Sequence, residues 1–374
     1  MSHYISVKQM KVLLVFFMTG DMLWFLPNTL ALQARQDAWF VTIVGSLLGY
    51  AAAIGLYKFW KRLGGKTYVE IVLQTLGPVA GGLVLLYFFV YLLLNTCAEA
   101  RYIGDFMSIQ ILTETPLNVI LLLFTAVVMI AVRTGLTVMA RSGQMFLVMF
   151  LVLFVVLSLL LLPQMEPSNL KPYLGSGISH LALGTLFAFV YPFFQLIVLF
   201  MVLPYVVREN LTDSEYERTL FRSVFAGSVI TFIVVLLSIL VLGAHMTSHN
   251  QFSTYTMAKK INIGDFVQRM EALLIIGYVW STFFKCAITM FALCNGMKQW
   301  LRLNDDKMLI TPVFSMLYGI SCYLYDNVVH YNSLGGAWLV WDVANMILFV
   351  GLVYAVHVFR TQLKSKKQRS LGGR

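Results

Sequence analysis

The sequence predicts an all-α membrane protein in which about ten spanning helices form two five-helix repeats of opposite topology. Three observations predict it. Of 374 residues, 59% are hydrophobic and only 12% charged, whereas roughly a quarter of a water-soluble globular chain is charged. The apolar residues fall in blocks of about 20, the helix length that crosses a hydrocarbon core. Two of these blocks, the first and the sixth, carry charged or helix-breaking residues near their middles. A soluble domain of this length needs far more polar surface. The net charge of +10 therefore reads as membrane topology rather than as a nucleic-acid footprint.

Hydropathy and turn residues place the spans near 12–33, 39–58, 79–103, 117–132, 142–162, 181–203, 220–243, 266–296, 308–325 and 336–358. These make one transmembrane domain over 1–358, with repeats at about 8–162 and 178–358, followed by a basic tail at 359–374. Of the 27 Lys and Arg residues, 20 fall on the side of the N-terminus and six on the other. Basic residues stay cytoplasmic in short loops, so both termini are expected in the cytoplasm. The first apolar stretch, interrupted by Gly20 and Asp21, is too long for a signal-peptide core and reads as the first span. Gly45 and Gly49 form a small-residue step that suits close helix packing.

The first span reads VFFMTGDMLWFLP, with Thr19, Gly20 and Asp21 part-way through it. Glycine costs a helix about 1 kcal/mol relative to alanine. An aspartate at mid-membrane costs about 2.5–3.5 kcal/mol on insertion scales. Together they indicate a break that lines a cavity rather than a lipid-facing helix. The sixth span carries Tyr191, Pro192 and Gln195 at a matching depth but is entered from the other side. Proline removes a backbone donor and crowds the preceding turn. Paired breaks five spans apart are the pattern of inverted repeats that bind small polar ligands at the midplane.

Span 3 places Tyr87, Tyr91, Asn95 and Glu99 four residues apart, with Thr96 beside them. That spacing puts one polar stripe on one helix face, which belongs inside the bundle. Lys285 is the one lysine deep in a span, about 18 Å from the cytoplasmic end at 1.5 Å per residue, and Asp21 lies at about 15 Å. Intramembrane ionisable residues mark function by default. Lys285 is therefore expected to approach Asp21 or the break beside it. The four cysteines, Cys97, Cys286, Cys294 and Cys322, sit in apolar segments and read as free thiols. Arg269 and Glu271 read as a surface ion pair, and the spaced His245 and His249 as solvated loop residues rather than metal ligands. No hydrolase, zinc-protease or nucleotide-binding motif occurs, so neither an enzyme nor a cofactor is expected.

The interruptions at Thr19-Gly20-Asp21 and Tyr191-Pro192-Phe193-Phe194 resemble those of the amino acid–polyamine–organocation superfamily, which has the leucine-transporter-like fold. More narrowly, the chain resembles the B subunit of endospore germinant receptors. The resemblance is carried by Ile5-Ser6-Val7-Lys8-Gln9, by Leu170-Lys171-Pro172 and by the run of Arg269, Glu271, Trp280, Phe284 and Lys285. It implies a protein of the spore inner membrane, partnered by A and C subunits, that senses a small nutrient such as an amino acid. Carried over, it implies ligand contacts at Thr19, Gly20, Asn95, Thr96, Tyr191, Phe194 and Thr282, joined by Asp21, Tyr91 and Lys285. Sodium-coupled relatives of the fold hold a cation between spans 1 and 8. Lys285 in its place implies no sodium requirement. The competing expectation is a proton-coupled transporter of amino acids, because fold alone does not separate sensing from transport.

Overall fold

The computed structural model describes residues 4–207, 212–261, 271–305, 307–327, 330–331, 334–360 and 362. Arg269, the side chain of Glu271 and nearly all of the basic tail lie outside the described residues. The chain is helical almost throughout. Helices α1 (Val7–Thr19) and α2 (Met22–Ala34) form the interrupted first segment, followed by α3 (Ala38–Arg62), the short α4 (Tyr68–Leu76) and α5 (Pro78–Gln110). Then come α6 (Leu117–Thr134), α7 (Leu136–Leu161), α8 (Ile178–Phe194), α9 (Asp213–His249) and α10 (Ser253–Lys259). The last are α11 (Glu271–Leu301), α12 (Lys307–Tyr323) and α13 (Gly335–Met346), which a π-helical turn, Ile347–Leu352, extends.

Local chemistry sets several of these boundaries. Ser6, Thr67 and Thr212 cap α1, α4 and α9, each in a reciprocal box with the third residue of the helix, Gln9, Glu70 or Glu215. Such boxes satisfy backbone N–H groups that a helix start leaves without partners. Pro78 opens α5 at a position where its missing N–H costs nothing. Gly135, at a φ of 89° that other residues avoid, makes the tight joint between α6 and α7.

Among the described residues, eight helical stretches are long and apolar enough to cross a membrane. The first, Val7–Arg62, has 56 residues, length for two passes at about 20–25 residues each. The 17-residue α12 is not among the eight. Dividing the first and adding α12 gives ten passes, a count we retain as a proposal. Leu47, Leu83, Leu123, Met145 and Val340 stand well exposed around the outside, as lipid-facing residues do.

Gly45 and Gly49 pack α3 tightly onto α8. A Cβ at Gly45 would meet Ala188 at 2.5 Å, and one at Gly49 would overlap the ring of Phe193. The two ends of the bundle are tied separately. At one end Ile5–Ser6 pairs in parallel with Val206–Val207, Thr137 bonds the Tyr4 carbonyl, and Lys61 bridges Asp213 at 3.2 Å and Glu217 at 2.9 Å. At the other end Asp37 accepts bonds from the backbone of Leu174 and Ser176 and from the Ser176 hydroxyl. There too, Asn28 donates to the carbonyls of Thr247, Ser248 and Asn250.

The third span is longer than the expected 79–103 and carries a charge inside the bundle. Helix α5 runs on to Gln110, and Arg101 is buried. Its guanidinium bonds Asp105 and the carbonyls of Ser321 and Cys322 at the end of α12. Those carbonyls belong to a helix C-terminus, which attracts a cation. All four cysteines are free thiols.

Candidate functional site

Helix α1 ends at Thr19, and Gly20 leaves helical geometry at φ 11°, ψ −116° before α2 begins at Met22. The freed Gly20 carbonyl accepts from Ser281 Oγ at 3.0 Å. Asp21 sits at the start of α2 without bonding the helix backbone, and a carboxylate there is stabilised by the helix dipole. Its Oδ1 instead meets Lys285 Nζ at 2.5 Å. The same Nζ pairs with Glu99 Oε1 at 2.9 Å. Glu99 also accepts from the Cys286 thiol. Lys285 is 1% exposed and Glu99 6%, so this pair lies well inside the bundle, with Asp21 half-buried beside it. A Cβ on Gly20 would overlap Lys285 Cδ. The glycine that breaks the helix is also the one residue that leaves the lysine stem room to pass.

The polar stripe on α5 faces this cluster and runs on from it. Tyr91 OH donates to Asp342 Oδ1 at 3.1 Å, reaching α13, and Gln195 donates to Asn95 Oδ1 at 3.4 Å. Between them is a cavity of about 20 Å³, room for about one water molecule. Asp21, Glu99 and Asp342 line it with Asn95 and Gln195. Aromatic walls complete it: Phe25, Tyr191, Tyr331 and Trp338. Phe25 packs on Tyr191 at 5.2 Å and on Tyr331 at 6.0 Å. Tyr191 OH donates to the Gly335 carbonyl at 2.7 Å, joining α8 to the start of α13. The space is thus narrow, and a solute larger than water fits only if these helices part. A larger groove, about 600 Å³ between α5, α6, α7 and α11, carries Thr115 and Ser142 as its polar side chains. Convergent polar groups mark a binding site better than volume does, so the small cavity is the stronger candidate.

Of the residues expected at the site, Asp21, Asn95 and Tyr191 line the cavity. Lys285 and Tyr91 reach it through their partners, and Gly20 contacts the lysine. Four others are not brought to it. Thr19 and Thr96 turn their hydroxyls back onto Val15 and Leu92 of their own helices. Thr282 is fully buried on α11 outside the lining, and Phe194 packs against Phe189 at 5.0 Å. The periodicity of α8 explains Phe194. Tyr191 and Gln195, four apart, share the inner face, and Phe194 is about 100° away from Gln195.

The interruption of the sixth segment comes later than Tyr191-Pro192 implies, and it is milder. Helix α8 continues through Phe194 and passes at Gln195 into a 3₁₀ helix, Gln195–Met201, without leaving helical angles. Pro192 has no N–H to give the preceding turn, and the chain accommodates it by tightening just downstream. A free helix N-terminus therefore faces the cavity at α2 and not at the sixth segment. Gln195, Asp342, Tyr331 and Trp338 join the site although they were not expected there, as does Glu99, which was expected only in the stripe. Asp342 had a readable signal, because it is a lone carboxylate within an apolar span.

This arrangement, a helix broken at mid-depth beside buried charges in a bundle of apolar helices, defines a polytopic membrane protein of the leucine-transporter-like fold. Solved structures agree on the fold. Mhp1, a nucleobase-cation-symport-1 family transporter in a closed conformation with bromovinylhydantoin bound, matches 94% of this chain and 78% of its own, with a TM-score of 0.73 and 11% identity. A sodium-coupled sialic acid symporter, substrate-bound and outward-open, matches 93% and 79%, with a TM-score of 0.66 and 10% identity. The chain belongs to the spore germination protein family, whose sequence model matches residues 4–328. Two relatives from Bacillus subtilis (strain 168) span most of the chain. Spore germination protein KB is 26% identical, covering 98% of this chain and 97% of its own. Putative spore germination protein YfkT is 25% identical, covering 82% and 84%. Family and fold point to a membrane permease or receptor connected with germination.

Proposed function

We propose that the protein is the nutrient-sensing transmembrane subunit of a spore germinant receptor. On this reading it lies in the spore inner membrane with both termini on the core side and works with A and C subunits. It binds a small nutrient, an amino acid being our choice, in the cavity beside the α1–α2 junction. The observation that carries the reading is that the helix break, the Asp21–Lys285–Glu99 cluster and the cavity are contiguous. Binding shifts the balance between closed and opened arrangements of the bundle, and only a ligand with unequal affinity for the two does so.

The fold is shared with symporters, which favours amino acid transport, coupled to protons, as the second reading. One pair of measurements separates them. Spores carrying Gly20→Leu are expected to lose their response to nutrient while the protein still reaches the membrane. Purified wild-type protein in proteoliposomes is expected not to accumulate amino acid. Robust accumulation by the lone subunit would favour transport, and an intact nutrient response in the Gly20→Leu spores would remove the binding site from this cavity.

A further inference from the structure

We propose that the cavity holds a primary ammonium group, that Asp342 is its counter-charge, and that a carboxylate on the ligand contributes nothing to its recognition. The inference rests on the reading that this cavity is the ligand site, and it names the ligand's chemical class. One lysine meets three carboxyl groups here. Lys285 is already shared between Asp21 and Glu99. Asp342, 3% exposed and lining the cavity, has only the Tyr91 hydroxyl as partner among the described residues, and that bond occupies one of its two oxygens. A carboxylate buried in this way is expensive without a cation.

A second group points the same way. Gln195 is 9% exposed, and its side-chain amide nitrogen is bonded to Asn95. Its amide oxygen has no donor among the described residues. An ammonium brings three donors and no acceptor, so it suits Asp342 and this oxygen together. Phe25, Tyr191, Tyr331 and Trp338 line the cavity, and aromatic rings attract cations at their faces. The cavity of about 20 Å³ matches a group the size of water, which an ammonium head is and a whole amino acid is not. No uncommitted buried base among the described residues awaits a carboxylate; the α2 N-terminus already carries Asp21, and the Trp338 indole N–H is an unpaired donor in the lining. The other buried base among the described residues, Arg101, is held by Asp105 and two carbonyls.

The test uses the full chain in lipid nanodiscs and reads thermal unfolding with matched probes: isobutylammonium chloride, sodium isobutyrate and valine, with potassium chloride at equal ionic strength. A ligand that binds the folded state raises its unfolding temperature. Isobutylammonium and valine are expected to stabilise the wild type alike, and isobutyrate and potassium are expected not to. Asp342→Asn is expected to weaken isobutylammonium by about tenfold or more, about 1.4 kcal/mol, and Asp342→Glu to recover part of it. If Asp342→Asn does not fold, the contrast between the amine and the acid on the wild type decides alone. Unchanged amine binding in Asp342→Asn, or an equal shift from potassium, overturns the proposal. A shift with isobutyrate that Tyr191→Ala removes also overturns it but leaves the cavity as a ligand site. No shift with any probe counts against both.

Discussion

Replacing Lys285 with methionine keeps most of the length of the side chain and removes its charge. The lysine is 1% exposed and pairs at 2.5 Å with Asp21 and 2.9 Å with Glu99. Without it, the buried Glu99 and the half-buried Asp21 face each other with no cation between them. Removing one partner of a buried ion pair costs about 3–5 kcal/mol. A loss of about 4 kcal/mol lowers the folded-to-unfolded ratio about 1000-fold, a large share of the 5–15 kcal/mol that holds a typical domain folded. The buried thiols Cys97, Cys286 and Cys294 supply the assay, because a thiol-reactive dye lights up as the heated protein exposes them. Lys285→Met is expected to unfold well below the wild type. A triple variant that adds Asp21→Asn and Glu99→Gln leaves no unpaired charge, and is expected to regain most of the loss. A single variant that unfolds at the wild-type temperature would refute the reasoning, as would a triple variant no better than the single.

Other expectations follow from the same contacts. Gly20→Ala places a methyl where Lys285 Cδ lies. It should cost about 1–3 kcal/mol, typical of overpacking, and abolish the nutrient response; a normal germination curve would contradict it. Asp37→Ala removes three bonds to Leu174 and Ser176. It should destabilise by about 4.5 kcal/mol or more, since bonds to charged groups are worth about 1.5–3 kcal/mol each, and should speed protease cleavage within residues 171–177. Because Lys285 already supplies a cation beside α1, exchanging sodium chloride for choline chloride should leave ligand affinity unchanged in an equilibrium binding measurement.

The fold was legible because membrane spans announce themselves by length and hydropathy. The junction at Gly20-Asp21 was legible because both residues are out of place in an apolar helix. The stripe from Tyr87 to Glu99 showed its inward face by spacing alone. What sequence could not supply was which distant residues meet. Asp342 and Lys285 sit on different helices, and only tertiary packing brings Tyr91 to the one and Glu99 to the other. Pro192 marks a weak point in the sequence without saying where the chain yields. Here it yields at Gln195, which leaves Tyr191 rather than Phe194 facing inward. Hydropathy alone ends the third span near residue 103, while Asp105 and the end of α12 let the helix carry the Arg101 charge inside and run on to Gln110.

The most direct test of the central claim is an experimental structure of the protein with a nutrient that triggers germination. The account predicts density between Asp21, Tyr191 and Asp342, with the aromatic walls at Phe25 and Tyr331 moved apart to admit it. Density bound elsewhere, with this cavity still closed and Lys285 undisturbed, would contradict it.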